Sequence, residues 1–365
     1  MKIKKILYMG SYLREYARNY NIIEGLKHCG VKVDEYNVSE HGIMINLRKF
    51  IKKFRKLKNE PYDMILLHSE APIQSLLAKM LSIIKGIPLI HDIYISKLQT
   101  LYDDRKKYRS LKIPKLIYWL VLYVIDFLEC QSADYLLLDT YTHINYFHTM
   151  FNIPIKKFRR ILIGAQDGVF YPMESKKKNK NEFVVGFYGT YIPVQGVEFI
   201  IKAAKILEEH KDVLFILVGN GQTYEKNRKL ATELGVQNIQ FINYVPLRKL
   251  AELMSQWDVG LGMFRDVPRC MQSIPNKVWG GIAMKIPMIN CESPAIKELF
   301  EDRTNIVLCK PDDPQSLAKK ILLLKKNPDL REKIKNNAYQ LFLKYGTIDA
   351  IGVSSLNILK QCLNE

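Results

Sequence analysis

Short runs of β-branched and aliphatic residues alternate with amphipathic stretches along almost the whole chain, and this rhythm limits the fold more than any other feature. In the first half the runs are KKILYMG, VKVDEYN, YDMILLH, IPLIHDI, YLLLDT and ILIGAQ; in the second they are FVVGFYG, VLFILVG, IQFINYV, DVGLGMF, IPMINCE and NIVLCK. Segments of helical period, such as VEFIIKAAKILEEH and PQSLAKKILLLKKN, separate most of them. Apolar strands joined through helices are the pattern of parallel sheets with crossover connections, so the expected class is α/β. At 365 residues the chain exceeds what one core supports, and two domains are expected. The charged stretch YPMESKKKNKNE, which has no apolar period, parts the two sets of strands. The expected division is an N-terminal domain over 1–172, a linker over 173–182, a second domain over 183–345, and a C-terminal helix over 346–365 returning towards the first.

Each half reads as a Rossmann-like unit, and the two are expected to face a central cleft. Open parallel sheets bind ligands beyond the carboxyl ends of their strands, so residues that end strands and open helices are the candidates. In the first half these are Gly10 and Ser11 after the first strand, with Arg14 and Arg18 behind them, then His68-Ser69-Glu70 and His91-Asp92. Small residues at such a turn let an anionic group approach backbone amides. His91 or Asp92 is a catalytic candidate, to orient an acceptor hydroxyl or to stabilise charge in the transferred sugar; a satisfied strand-end histidine with an aspartate in the turn fits equally well. In the second half the candidates are Gly189 and Thr190, the run Gly219-Asn220-Gly221, and the stretch FRDVPRCMQSIPNK. There Ser273 is expected to cap a helix with Pro275 in its first turn, and Asn276 and Lys277 open it. Arg265, Arg269 and Lys277 are placed to neutralise a diphosphate on the helix start.

The formal net charge of +18 favours anionic partners. The lysines are dispersed, and no helix-turn-helix, zinc or stacking motif accompanies them, so nucleic acid is not an expected partner. Six scattered cysteines without a C-x-x-C pair argue against a disulfide framework or a zinc site and for reduced thiols. His143 and His148 lack metal-ligand spacing and read as the surface and partial core of a helix. Met1–Lys5 leads straight into ILYMG, too short for a signal-peptide core, which points to a cytoplasmic protein.

In their order, GFYGTYIPVQGVEFIIKAAKIL, LFILVGNGQ, LGVQNIQFINYVP, LAELMSQWDVGLGMF, PNKVWGGIAMKIPMI and SPAIKELF resemble the donor half of the large retaining glycosyltransferase family of the GT-B fold, the group 1 or family 4 type. The likeness runs from Phe183 to Tyr345. YMGSYLREYARNYNIIEGLKHCGVKV and LIGAQDGVFYP resemble its first half more loosely. The resemblance implies transfer of a sugar from a nucleotide sugar to a glycan or lipid-linked acceptor, with retention, in surface polysaccharide or glycolipid biosynthesis. It implies no cofactor beyond the nucleotide-sugar co-substrate and no obligatory metal, with amides and cations meeting the charge of the leaving diphosphate. The Gly10-Ser11 turn is expected to face the same diphosphate.

Four positions depart from the family pattern. Thr190 and Gln195 stand where it has an arginine and a lysine, and Gln272 and Gly280 where it has two glutamates. Gly280 leaves the ribose-binding carboxylate without a counterpart. Three readings follow: an active branch relying on Arg265, Arg269 and Lys277; room for an altered donor or a base shifted by Trp279; or an inactive relative that serves as a binding or scaffold subunit. Glu298 matches a family glutamate and is read as a helix-start residue. The basic amphipathic segment NLRKFIKKFRKLKNEP and the aromatic run KIPKLIYWLVLYVIDFL open two further readings, docking on an anionic inner membrane face and ordinary packed helices.

Overall fold

The computed structural model describes residues 2–37, 57–68, 72–106, 108–174, 179 and 181–364. Its chain forms two compact units, Met1–Ile163 with Ile348–Glu365, and Gly164–Thr347. The stretch expected as a linker thus falls within the second unit, with residues 175–178 and 180 outside the described ones.

In the first unit the order is β1 (Lys5–Gly10), α1 (Ala17–His28), β2 (Lys32–Asn37), β3 (Met64–His68), α2 (Pro72–Lys85), β4 (Leu89–Asp92), α3 (Lys115–Ser132), β5 (Tyr135–Leu138), α4 (Tyr141–Phe151) and β6 (Phe158–Arg160). The strands form one parallel sheet in the order β2-β1-β3-β4-β5-β6. Both faces are covered, which explains the unbroken apolar runs. Ile6, Tyr8, Leu66 and Ile90 pack with Ile22 and Leu26 of α1, while Leu7, Ile65, Leu89 and Leu136 pack with Leu122 of α3 and Phe147 of α4. The last strand is Phe158–Arg160 and not ILIGAQ. The carbonyls of Ile161 and Ile163 accept from Arg18 Nη1 and Asn21 Nδ2 of α1, each at 2.8 Å, and Gly164 then turns at φ +69°.

The second unit runs β7 (Phe183–Gly189), α5 (Val197–Ile206), β8 (Val213–Gly219), α6 (Tyr224–Glu233), β9 (Ile239–Ile242), α7 (Leu247–Met254), β10 (Val259–Leu261), α8 (Pro268–Met271), α9 (Asn276–Ala283), β11 (Met288–Cys291), α10 (Pro294–Lys297), β12 (Val307–Cys309), α11 (Pro314–Lys326) and α12 (Pro328–Tyr345). Its parallel order is β12-β11-β10-β7-β8-β9. The direction of winding reverses between β7 and β10, and a ligand crevice is expected beyond the carboxyl ends of these two strands. The closing helix α13 (Ile348–Asn364) belongs to the first unit, where it crosses α1 so closely that a Cβ on Gly352 would lie 2.2 Å from Gly25 O.

Candidate functional site

At the carboxyl edge of the second sheet, β7 and β8 end in register with Gly189 opposite Gly219. Gly219 has φ +126°, and a Cβ there would sit 1.9 Å from Gly189 O; Gly221 has φ +151°, with its imagined Cβ 1.7 Å from Thr190 O. Only glycine fits either place, and the result is a ledge of bare backbone. Gln195 Nε2 donates to Thr190 Oγ1 at 3.4 Å, so the two polar replacements bond one another. Asn220 is exposed; its Oδ1 accepts from Gly221 N at 2.6 Å and its Nδ2 donates to Asn243 Oδ1 at 3.0 Å.

The segment after β10 is tied to the same ledge, for Phe264 N donates to Gln195 O at 3.2 Å. Arg265 forms an ion pair with Glu198 of α5, and its guanidinium lies 5.7 Å from the Phe199 ring centre, so its charge already has a counter-ion. Arg269, half-buried on α8, accepts at its backbone oxygen from Ser273 Oγ at 3.0 Å. Ser273 therefore does not cap α9. Pro275 takes the cap position in an extended conformation with no side-chain cap, because the serine hydroxyl, two residues upstream, is used to close the turn after α8. Gln272 is half-buried beside it.

Asn276 and Lys277 form the uncapped first turn of α9. Asn276 Oδ1 and Lys277 Nζ are both buried without a hydrogen-bond partner. Lys277 is only 5% exposed, and its ammonium lies 4.3 Å from the centre of the Phe187 ring. Burial pushes its pKa down to about 7, against an opposing pull from Cys270. The glycine pair that follows lets α9 press onto the sheet. A Cβ on Gly281 would meet Met288 Sδ at 2.1 Å, and one on Gly280 would meet the Tyr188 hydroxyl at 2.6 Å. The space of a side chain at 280 is thus held by a phenol. Tyr188 stacks on Phe170 at 6.4 Å and 18° and leans on Trp257 at 6.4 Å and 34°. Sequence reasoning missed Tyr188; a bulky residue next to last in a central strand, with paired glycines in a later helix, was its signal. Glu298 follows the last residue of α10 as its C-cap, while Ser293 caps the start, so it is not a helix-start residue.

At the carboxyl edge of the first sheet Gly10, φ +148°, is wedged so tightly that a Cβ would fall 1.7 Å from His68 O. Ser11 is half-buried, and α1 begins only at Ala17 without a side-chain cap. Arg14 is paired with Glu24 and, at 2.7 Å, with Glu35. His91 and Asp92, neighbours on β4, project to opposite faces of the sheet. Asp92 is buried and takes Arg18 Nε at 2.8 Å and His68 Nδ1 at 3.0 Å. Burial alone raises its pKa, but Arg18 and His68 overcome this and hold the carboxyl well below the usual range. His91 is fully buried and neither ring nitrogen has a well-formed hydrogen bond; burial first, then Lys97, lowers it to about 3 and keeps it neutral. Ser69 and Glu70 lie outside the described residues. The same edge carries a pair that sequence reasoning did not select: buried His143 meets Asp139 at 3.0 Å, and Thr140 between them caps α4. His148, part-buried on α4, meets Ile153 O through Nδ1 at 2.7 Å.

The family Glycosyl transferases group 1 matches residues 172–341, just under half of the chain and almost all of the second unit. An uncharacterized glycosyltransferase of Methanocaldococcus jannaschii is 25% identical over 168 residues, 46% of this chain and 45% of that protein. A second from the same organism is 24% identical over 336 residues, 86% of this chain and 80% of its own length. The match thus spans about half the length of the first of these relatives. Among solved structures, Anabaena HepE in complex with UDP and glucose has a TM-score of 0.72 at 16% identity, covering 98% of this chain and all of that one. Sucrose-phosphate synthase of Thermosynechococcus elongatus has 0.74 at 13%, covering 99% of each. The likeness extends over both units, and the fold is the two-sheet α/β architecture expected for GT-B proteins.

Proposed function

From a second unit that matches the group 1 glycosyl transferases over residues 172–341, we propose that this chain is a glycosyltransferase, moving a sugar from a nucleotide sugar to a glycan or lipid-linked acceptor with retention. Lys277 carries the reading. An ammonium buried without a counter-ion costs free energy that packing does not return, and it sits in an uncapped helix turn whose amides favour an anion. A diphosphate there would supply the missing charge. As the glycosidic bond breaks, negative charge grows on the leaving phosphate, and Lys277 with the amides of Asn276 and Lys277 would meet it without a metal being required. The ledge formed by Gly189, Thr190, Gly219, Asn220 and Gly221 would let the donor approach bare backbone. Arg265 would serve by holding Glu198 and the loop, and Arg269 as a second cation. HepE was solved with UDP, with UDP and glucose, and with UDP-glucose, which makes a uridine nucleotide the first donor to try.

Acceptor binding is assigned to the first unit, at the carboxyl edge holding the Asp139–His143 pair. There Asp92 acts as an anchor for Arg18 and not on the acceptor itself. The test is a thermal-shift screen of the full chain with UDP, GDP, ADP and their common sugars. At least one is expected to raise the melting temperature, with the shift lost in Lys277→Met. Stabilisation by none would overturn the proposal in favour of an inactive relative acting as a scaffold.

A further inference from the structure

Among the described residues, the first unit leaves a broad aliphatic face uncovered. On α3, Ile117, Leu120, Val121, Val124 and Leu128 recur at helical spacing and are 42–56% exposed, with Leu116 at 77%. On α2, which packs against α3, Leu76, Met80 and Ile83 form a second row at 53–68%. Together they expose on the order of 1,000 Å², where a soluble monomer usually shows a few hundred in its largest patch. The acidic residues of α3, Asp126 and Glu129, are turned inward and buried. Asp126 accepts from Ser96 Oγ at 2.6 Å, and Glu129 pairs with Lys97. The exposed row therefore carries no carboxylate. Cations gather at its N-terminal end: Arg105, Lys106, Lys112 and Lys115 are exposed, and Lys115 Nζ lies 5.7 Å from the Tyr102 ring. Asp134, beyond the other end, is paired with Lys79 at 2.9 Å.

We infer that the α2–α3 face lies on an anionic lipid bilayer. A protein partner is favoured by aromatic and arginine anchors in the middle of a patch, whereas the exposed side chains of this patch are aliphatic and the fully exposed cations gather at the N-terminal rim of α3. That is the composition of a surface that sinks into acyl chains while its rim meets lipid phosphates. No helix among the described residues is long and apolar enough to cross a membrane, so α3 lies in the interface and does not span it. The inference adds to the transfer reading, since a lipid-linked acceptor would be presented at such a surface, but it does not depend on the donor site.

The test is sedimentation of the full chain with vesicles, without nucleotide, so its failure is separate from failure of the donor reading. Vesicles of phosphatidylcholine with about one-third phosphatidylglycerol are expected to bind the protein at low salt, pure phosphatidylcholine much less, and about 0.5 M salt to weaken binding. Leu120→Glu with Val124→Glu is expected to weaken partitioning about tenfold or more. Lys112→Glu with Lys115→Glu should remove the preference for anionic lipid. All four positions are solvent-exposed, and an unchanged melting curve shows that the variants fold. Three results overturn the inference: no binding of the wild type to anionic vesicles, unchanged binding by the Leu120/Val124 variant, or a concentration-dependent dimer abolished by that variant.

Discussion

Replacing Lys277 with Met should make the protein more stable while damaging the proposed donor site. The amine is buried, has no hydrogen-bond partner, and has a pKa lowered from 10.5 to about 7 because burial disfavours the charged form. A tenfold change in proton affinity corresponds to about 1.36 kcal/mol, so charged Lys277 costs the folded state on the order of 5 kcal/mol relative to the neutral amine. The sign follows from proton counts. Between about pH 7 and 10.5 the unfolded chain holds a proton that the folded chain has lost, so wild-type stability rises with pH across that window; below pH 7 the whole penalty is present. Methionine fills a similar volume without charge. The variant should therefore exceed the wild type by several kcal/mol at pH 6, about 2–4 °C in melting temperature per kcal/mol, with the gap closing towards pH 10. Paired urea melts from pH 6 to 10 measure this, and taking the difference cancels the other titrating groups. A gap that does not vary with pH, or a variant less stable at pH 6, would show that the ammonium is solvated or paired and would refute a buried, uncompensated charge.

Three other perturbations test the packing around the two edges. Gly280→Ala should destabilise by about 1 kcal/mol or more despite alanine's helix propensity, because the new Cβ meets the Tyr188 hydroxyl at 2.6 Å; adding Tyr188→Phe should recover the loss, as the next atom is 3.7 Å away. A double-mutant cycle by urea melts measures the coupling, and additive effects would contradict the contact. Asp92→Asn leaves Arg18 buried without its carboxylate and should cost about 3–5 kcal/mol. The Asp92 pKa is depressed, so its stabilisation is present above the ordinary carboxylate range and fades as acidification approaches the folded value; the variant's acid limb should be correspondingly flatter in a pH series of melts. Gly352→Ala puts a methyl 2.2 Å from Gly25 O and should part α13 from α1, which hydrogen exchange would show as lost protection confined to these two helices.

The α/β class was legible because strands buried on both faces write long apolar runs, and eleven of the twelve runs named from sequence contain an observed strand. ILIGAQ did not become one: Arg18 and Asn21, more than a hundred residues earlier, take its carbonyls. At the carboxyl edge of the second sheet Gly219 and Gly221 were legible, because their backbone conformation and close approach to Gly189 O and Thr190 O require glycine. Partners set by the tertiary fold were not. Glu198 stands 67 residues from Arg265, Tyr188 faces Gly280 from another element, and Ser273 chose a carbonyl behind it over an amide ahead. The basic segment Asn46–Pro61 lies mostly outside the described residues, but the face of α3 was present in sequence as apolar residues at helical spacing.

Calorimetric titration of the full chain at pH 8 with the nucleoside diphosphate that stabilises it best, in two buffers of different ionisation enthalpy, addresses Lys277 directly. A diphosphate seated on the first turn of α9 draws the neutral amine back to its charged form, so binding should take up close to one proton, and Lys277→Met should bind at least about tenfold more weakly with no uptake. Equal affinity in the variant, or uptake that persists without the lysine, would contradict a diphosphate at this site.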